Sequence, residues 1–213
     1  AYADRDLALP GSVQFIQAFD AIRKTPIPDG GLFKEKSQLW MTELQYNFTH
    51  LVKFADVIVG GNWKKYILDS DGTLFIDTTG PITIQEIGAY AQVSKDLLNK
   101  RLNLSASARW DKNDDFKPRF TPRFTALIRV AKNNNIRLSY QTAYRFASTQ
   151  GKYIRLDVGG YTLLGGLPWI KDYIEVDKHP VHELVGGVPK PTPYVFTELK
   201  PESNQSFEIG YKA

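Results

Sequence analysis

The 213-residue sequence has no cysteine, which rules out disulfides and thiolate metal sites. No stretch approaches the roughly 18 consecutive apolar residues that a membrane-crossing helix needs. The opening residues, Ala1 to Asp6, hold neither an initiator methionine nor the apolar core of a signal peptide, so the chain reads as a mature product or a fragment. A strong charge of one sign is missing too: 27 Lys and Arg stand against 23 Asp and Glu, a net +4 scattered along the chain. That balance argues against a nucleic-acid partner.

What the chain does have is aromatic and alternating. Apolar residues make up 42% and aromatics 13%, with 11 Tyr and 12 Phe, a mix that favours β-structure over disorder. Between Arg101 and Asp111, the residues Leu102, Leu104, Ala106, Ala108 and Trp110 alternate without a break with Asn103, Ser105, Ser107 and Arg109. A helix would scatter these side chains around its circumference; a strand puts them on two faces. The pattern repeats with Phe120, Pro122, Phe124, Ala126, Ile128 and Val130 opposite Arg119, Thr121, Arg123, Thr125 and Arg129, leaving Leu127 as the misfit. Pro122 cannot donate to a ladder, which places it near a strand end or bulge. A third strand sets Ile136, Leu138, Tyr140, Thr142, Tyr144 and Phe146 against Arg137, Ser139, Gln141, Ala143 and Arg145. Upstream strands are expected around 87–94, 37–49 and 53–64, and a last one begins near Ser206.

The links between strands alternate in length. Those at 50–53, 96–100 and 131–135 are tight, whereas 66–81, 112–118 and 147–204 are longer. Short turns at one end and long loops at the other is the asymmetry of an outer-membrane barrel. The strands, at about eleven to sixteen residues, exceed the usual soluble strand of roughly five or six and suffice to span a bilayer. Phe48, Trp110, Phe120 and Phe146 sit toward strand ends on the apolar face and read as membrane-interface aromatics. The alternative is a soluble β-sandwich ligand-binding module, for instance for glycans, whose strands alternate as well. Burial of Leu104, Ala106, Ala126 and Ile128 against a second sheet would select it.

The resulting organisation has four parts. Residues 1–36 form an extracellular loop with a short helix over Ser12–Lys24, where Val13, Phe15, Ile16, Phe19 and Ile22 fall at helical spacing behind a Ser12 cap. Residues 37–148 hold six barrel strands, 149–205 a long extracellular loop, and 206–213 the start of a further strand.

The segment FKPRFTPRFTALIRVAKNNNIRLSYQTAYRFAST, from Phe116 to Thr149, resembles the barrel of TonB-dependent receptors. In that family a strand like "F-S-P-R" precedes a short turn and "R-x-S-Y-x-T-G-F-R-x-P-T". Here Ala143 replaces the usual Gly and Ala147 the usual Pro. The stretch from Leu199 to Lys212, LKPESNQSFEIGYK, is similar to the family's "L-x-P-E-x-S-x-x-x-E-x-G". The flavour is that of Bacteroidota-type receptors. The resemblance implies a barrel of about 22 strands holding a plug domain, with transport energised by the TonB complex. Seven strands cannot close such a barrel, so the chain is expected to be an incomplete part of its later half. The implied activity is import of a scarce ligand (a ferric siderophore, glycan or peptide) across the outer membrane. A surface lipoprotein is a further candidate partner.

Other motifs carry less. His179-Pro-Val-His182-Glu183 is not H-E-x-x-H, and its Pro180 disfavours a helix presenting both rings; it reads as an exposed loop. Asp69-Ser-Asp71-Gly72 and Asp111-Lys-Asn-Asp114-Asp115 lack a full set of calcium ligands and read as turns. Gly159-Gly160 and Gly165-Gly166 lack the context of a phosphate loop. No catalytic triad or carboxylate pair is organised, so neither an enzyme nor a cofactor is expected. The notable constellation is an arginine ladder on the polar face. Arg109, Arg119, Arg123 and Arg145 lie toward the long-loop ends, and Arg101, Arg129 and Arg137 toward the short-turn ends. One reading pairs them with carboxylates such as Asp111 and Glu208. The other makes Arg109, Arg123 and Arg145 binders of an anionic substrate, helped by Tyr153, Tyr161, Trp169 and Tyr173 in the long loop.

Overall fold

A computed structural model of the chain describes residues 7–158 and 161–213. The opening six residues and the Gly159-Gly160 pair lie outside the described residues. In chain order the elements are α1 (Val13–Ile22), β1 (Gln38–Asn47), β2 (Asp56–Leu68), β3 (Ile82–Leu97), β4 (Leu102–Asn113), β5 (Phe116–Ala131) and β6 (Asn134–Arg145). They are followed by α2 (Thr149–Tyr153), β7 (Arg155–Asp157), β8 (Thr162–Leu164), α3 (Ile170–Tyr173), β9 (His182–Val185), β10 (Val188–Pro193) and β11 (Glu202–Lys212).

Seven strands form one open sheet in the order β1-β2-β3-β4-β5-β6-β11, with β1 and β11 at its edges. The alternation in the sequence dictates its two faces. Val93, Ala106, Phe124, Tyr140 and Phe207 stand on one cross-strand rung, and Lys95, Leu104, Ala126, Leu138 and Ile209 on the next. Lys95 apart, these side chains are apolar or aromatic and open: Leu104 is 42%, Phe207 77% and Ile209 85% exposed. Among the described residues no second sheet buries them, as a β-sandwich would require. The opposite face carries Tyr90, Arg109, Thr121, Ser107, Arg123 and Gln141 on paired positions, with Leu127 among them opposite Arg137.

Some features depart from the expectations or refine them. The link expected at 112–118 is only Asp114-Asp115, because both strands run on into it; Asn113, the last residue of β4, is fully buried, bonded to Glu86 and to the Asp115 amide. Long links therefore do not occupy every connection at that end of the sheet. The last strand begins at Glu202, four residues before Ser206, and pairs with β6 along its whole length. Finally, α1 forms with Ser12 as its cap, accepting from the Phe15 amide at 3.2 Å, but it buries no residue.

Pro122 sits where two neighbouring strands part. The β5–β6 ladder stops at Arg123↔Gln141, one residue short of Pro122, which has no N–H to extend it. Beyond that point β5 pairs only with β4, and β6 only with β11.

A second compact unit comprises the segment ending at Gln38 together with Leu68–Ile82 and Ser148–Glu198. Its core is Leu68, Phe75, Tyr153, Ile154, Leu167 and Ile170. The turn after β2 is organised by the Asp77 carboxylate, which accepts from the Ser70 amide, the Ser70 hydroxyl at 2.8 Å and the Gly72 amide at 2.7 Å. Ser70 Oγ in turn accepts from the Phe75 amide at 2.9 Å. A carboxylate gathering several donors is the usual way to hold a turn that lacks a ladder.

Candidate functional site on the polar face of the sheet

The polar face is organised around Arg109 of β4. Its guanidinium grips Asp111 with two prongs, Nε to Oδ2 at 2.8 Å and Nη2 to Oδ1 at 2.6 Å. Nη2 also donates to Asn62 Oδ1 of β2. Beneath it lies the Tyr90 ring of β3, with the guanidinium carbon 5.8 Å from the ring centroid, and the Tyr90 hydroxyl donates to Gln45 of β1. One cluster thus ties four successive strands together.

Two glycines make room for it. A Cβ at Gly88 would come within 2.4 Å of Arg109 Nη2 and Asp111 Oδ1 and 2.7 Å of Asn62 Oδ1. At Gly60 it would meet the Tyr90 ring at 2.5 Å. Glycine inside a strand is otherwise a weakness, and here it marks a close approach. Sequence reasoning singled out Arg109 and Asp111 but missed Asn62, Tyr90, Gln45 and both glycines. The readable signal was glycine at period-two positions beside an aromatic residue.

The expected site residues end in different surroundings. Arg109 is neutralised by Asp111. Arg145 pairs with Glu202 at 2.9 Å, both side chains being over 70% exposed. Arg123 is exposed on the polar face between Ser107 and Gln141 and has no ion pair among the described residues. Arg119, opposite Asp111, holds a buried Nε without a partner. It borders a polar pocket of about 460 Å³ where β5 and β6 part, lined also by Thr121, Thr142, Tyr144 and Asn204.

The expected interface aromatics divide as well. Trp110 and Phe120 oppose each other on the apolar face, and Phe48 packs edge-on against Tyr46, with ring centroids 4.7 Å apart. Phe146 is placed differently from the expectation. It stacks on the buried Phe116 at 5.5 Å and meets Tyr144 at 4.9 Å. Tyr144 itself is close enough to Arg109 and Asp111 to interact with both. Phe146 lies just past the end of β6 at Arg145, where strand alternation no longer fixes the side on which a residue stands.

In the other unit, Tyr153 is buried in the core, its ring 6.2 Å from that of Trp169, which meets Tyr173 at 6.5 Å. Trp169 and Tyr173 are about half open, and Tyr161 is exposed. The motifs weighed for metals are engaged otherwise. His182 donates Nδ1–H to the Lys190 carbonyl at 2.7 Å, and Glu183 pairs with Lys190 at 2.6 Å. Asp71 pairs with Lys34 at 3.2 Å and Lys36 at 3.6 Å. The hydrogen bond from Lys34, with the charge of Lys36, holds its carboxyl below the usual carboxylate range. No group of acidic and histidine side chains among the described residues is arranged to hold a metal ion.

An antiparallel sheet of long strands with one open apolar face and one arginine-bearing polar face is the wall of a transmembrane β-barrel, apolar face to lipid and polar face to the lumen. The family described as TonB dependent receptor-like, beta-barrel matches residues 5–213. The chain belongs to that family, whose members are transport receptors of the bacterial outer membrane. Comparison with curated proteins gives no match.

Proposed function

We propose that this barrel wall serves active import of a scarce ligand, a ferric siderophore, glycan or peptide, with energy supplied through the TonB complex. The receptor's own plug domain fills the lumen in this reading, and the unit containing the 148–198 segment faces the outside, where a surface lipoprotein is a further partner. The observation that supports an anionic ligand is the charge imbalance on the polar face. Arg109 is closed off by Asp111, whereas Arg123 has no carboxylate partner among the described residues. Arg145 is held by an exposed pair, which is weak and exchangeable. Trp169 offers a stacking surface that the buried Tyr153 does not.

The test is uptake in cells carrying the full-length receptor, using a ligand found by a growth screen. Arg123→Gln lowers uptake up to about tenfold at unchanged surface level, the worth of one charge-assisted contact. Loss of TonB abolishes uptake altogether. Unchanged uptake in the variant removes the role of Arg123, and uptake that persists without TonB overturns the proposal.

A further inference from the structure

The apolar face is not a uniform surface. Ala106 and Ala126, on neighbouring strands, floor a trough of about 630 Å³ that spans β3, β4, β5, β6 and β11. An aromatic rail of Phe124, Tyr140 and Phe207 walls one side. The first two rings stack at 6.4 Å and the last two approach to 4.7 Å. Leu138 and Ile209 stand on the next rung. Apart from the Tyr140 hydroxyl, these side chains offer hydrocarbon or ring, with one charged exception at the edge. Lys95 stands on this face directly opposite Leu104. The trough's acidic neighbour, Glu208, is opposite Ser139 on the polar side.

A lysine facing lipid is costly at the bilayer midplane and nearly free near the interface. Lys95 is two residues, about 7 Å of strand, from the end of β3 at Leu97. Its ammonium lies 5.7 Å from the centroid of the Phe54 ring in the short β1–β2 connection. A cation and an aromatic at that depth form an interfacial anchor, and short turns mark the periplasmic side of a barrel. Apolar groove and interfacial cation together have the two ends of a phospholipid: a channel for an acyl chain and a counter-charge for its phosphate.

We infer that this trough is a binding site for an anionic phospholipid, one acyl chain lying over Ala106 and Ala126 against the aromatic rail, with the headgroup phosphate paired to Lys95. The inference rests on the barrel's place in the membrane and not on which ligand it imports.

Native mass spectrometry of the delipidated full-length receptor in detergent tests it, with phosphatidylglycerol and phosphatidylethanolamine of identical chains as probes. The wild type retains phosphatidylglycerol over phosphatidylethanolamine by about fivefold, the worth of one cation near an anionic headgroup. Lys95→Gln brings the two lipids level, and Lys95→Arg keeps the preference. Ala126→Trp, which fills the trough, lowers retention of both. Heat-modifiable mobility on a gel verifies that each variant is folded. Equal retention of the two lipids by the wild type, or an undiminished preference in folded Lys95→Gln, overturns the inference.

Discussion

Arg109 folds back along its own strand onto Asp111, two residues further on, and meets the carboxylate with both prongs of its guanidinium. The Asp111 side chain is only 10% exposed and that of Arg109 37%, so the pair is half in water. Asp111→Asn keeps the shape and removes the charge. It is expected to cost about 1–2 kcal/mol, at the low end for a charged hydrogen-bonded pair because solvent screens the exposed guanidinium. Urea unfolding of the full-length barrel in micelles measures this.

Gly88→Ala drives a methyl group into that pair. With 2.4 Å to two of the neighbouring atoms, the expected loss is about 1–3 kcal/mol. Arg109→Ala in the same background recovers part of it, because the two changes act on one contact. Additive losses would show that the glycine is needed for another reason.

The turn between β3 and β4 holds Leu98, Asn99 and Lys100 with φ of 51°, 53° and 64°, a conformation that L-residues resist. Lys100→Gly therefore stabilises by about 0.5–1 kcal/mol, part of the relief being offset by the greater freedom of the unfolded glycine. The readout is a higher urea midpoint with an unchanged slope.

Asp77 supports the turn after β2 through three donors. Asp77→Ala leaves the fully buried Ser70 short of partners, at about 3 kcal/mol. The damage is local. Proteolysis within 69–81 speeds up while the barrel's melting is unchanged.

Asp71 gives that turn a pH dependence. Unfolded, its carboxyl titrates at about 3.9; folded, Lys34 and Lys36 hold it lower. Its contribution is thus fully present above the unfolded value and is lost as pH falls through the folded one. Hydrogen exchange in 69–81, corrected for the intrinsic rate, should separate wild type from Asp71→Asn at pH 6 and bring the two together in strong acid.

The strands were legible because alternation is a local property: Leu102, Leu104, Ala106, Ala108 and Trp110 had to share a face once the segment was extended. The Arg109 cluster was legible only at its two ends. Asn62 and Gln45 reach it from strands that lie 47 and 45 residues away from their partners in sequence, and nothing local marks such register. Phe146 was misplaced for a related reason. Its assignment assumed that the alternation of β6 reached it, whereas the strand ends at Arg145 and Phe146 packs on Phe116. Pro122, expected near a strand end or bulge, lies instead inside β5 with its ladder to β4 unbroken, because only the side facing β6 needed its missing N–H, and there the ladder ends beside it.

That ending gives the wall a seam. Above Arg123 and Gln141 the backbone ladder gives way to one sparse hydrogen bond, the Thr142 hydroxyl to the Pro122 carbonyl at 3.4 Å, and to the stack of Phe146 on Phe116. A sheet stretched or warmed parts first where its cross-links are fewest. In mechanical terms β4–β5 and β6–β11 behave as two panels joined along their lower edges, and breathing between them opens at Thr121 before it reaches Thr125.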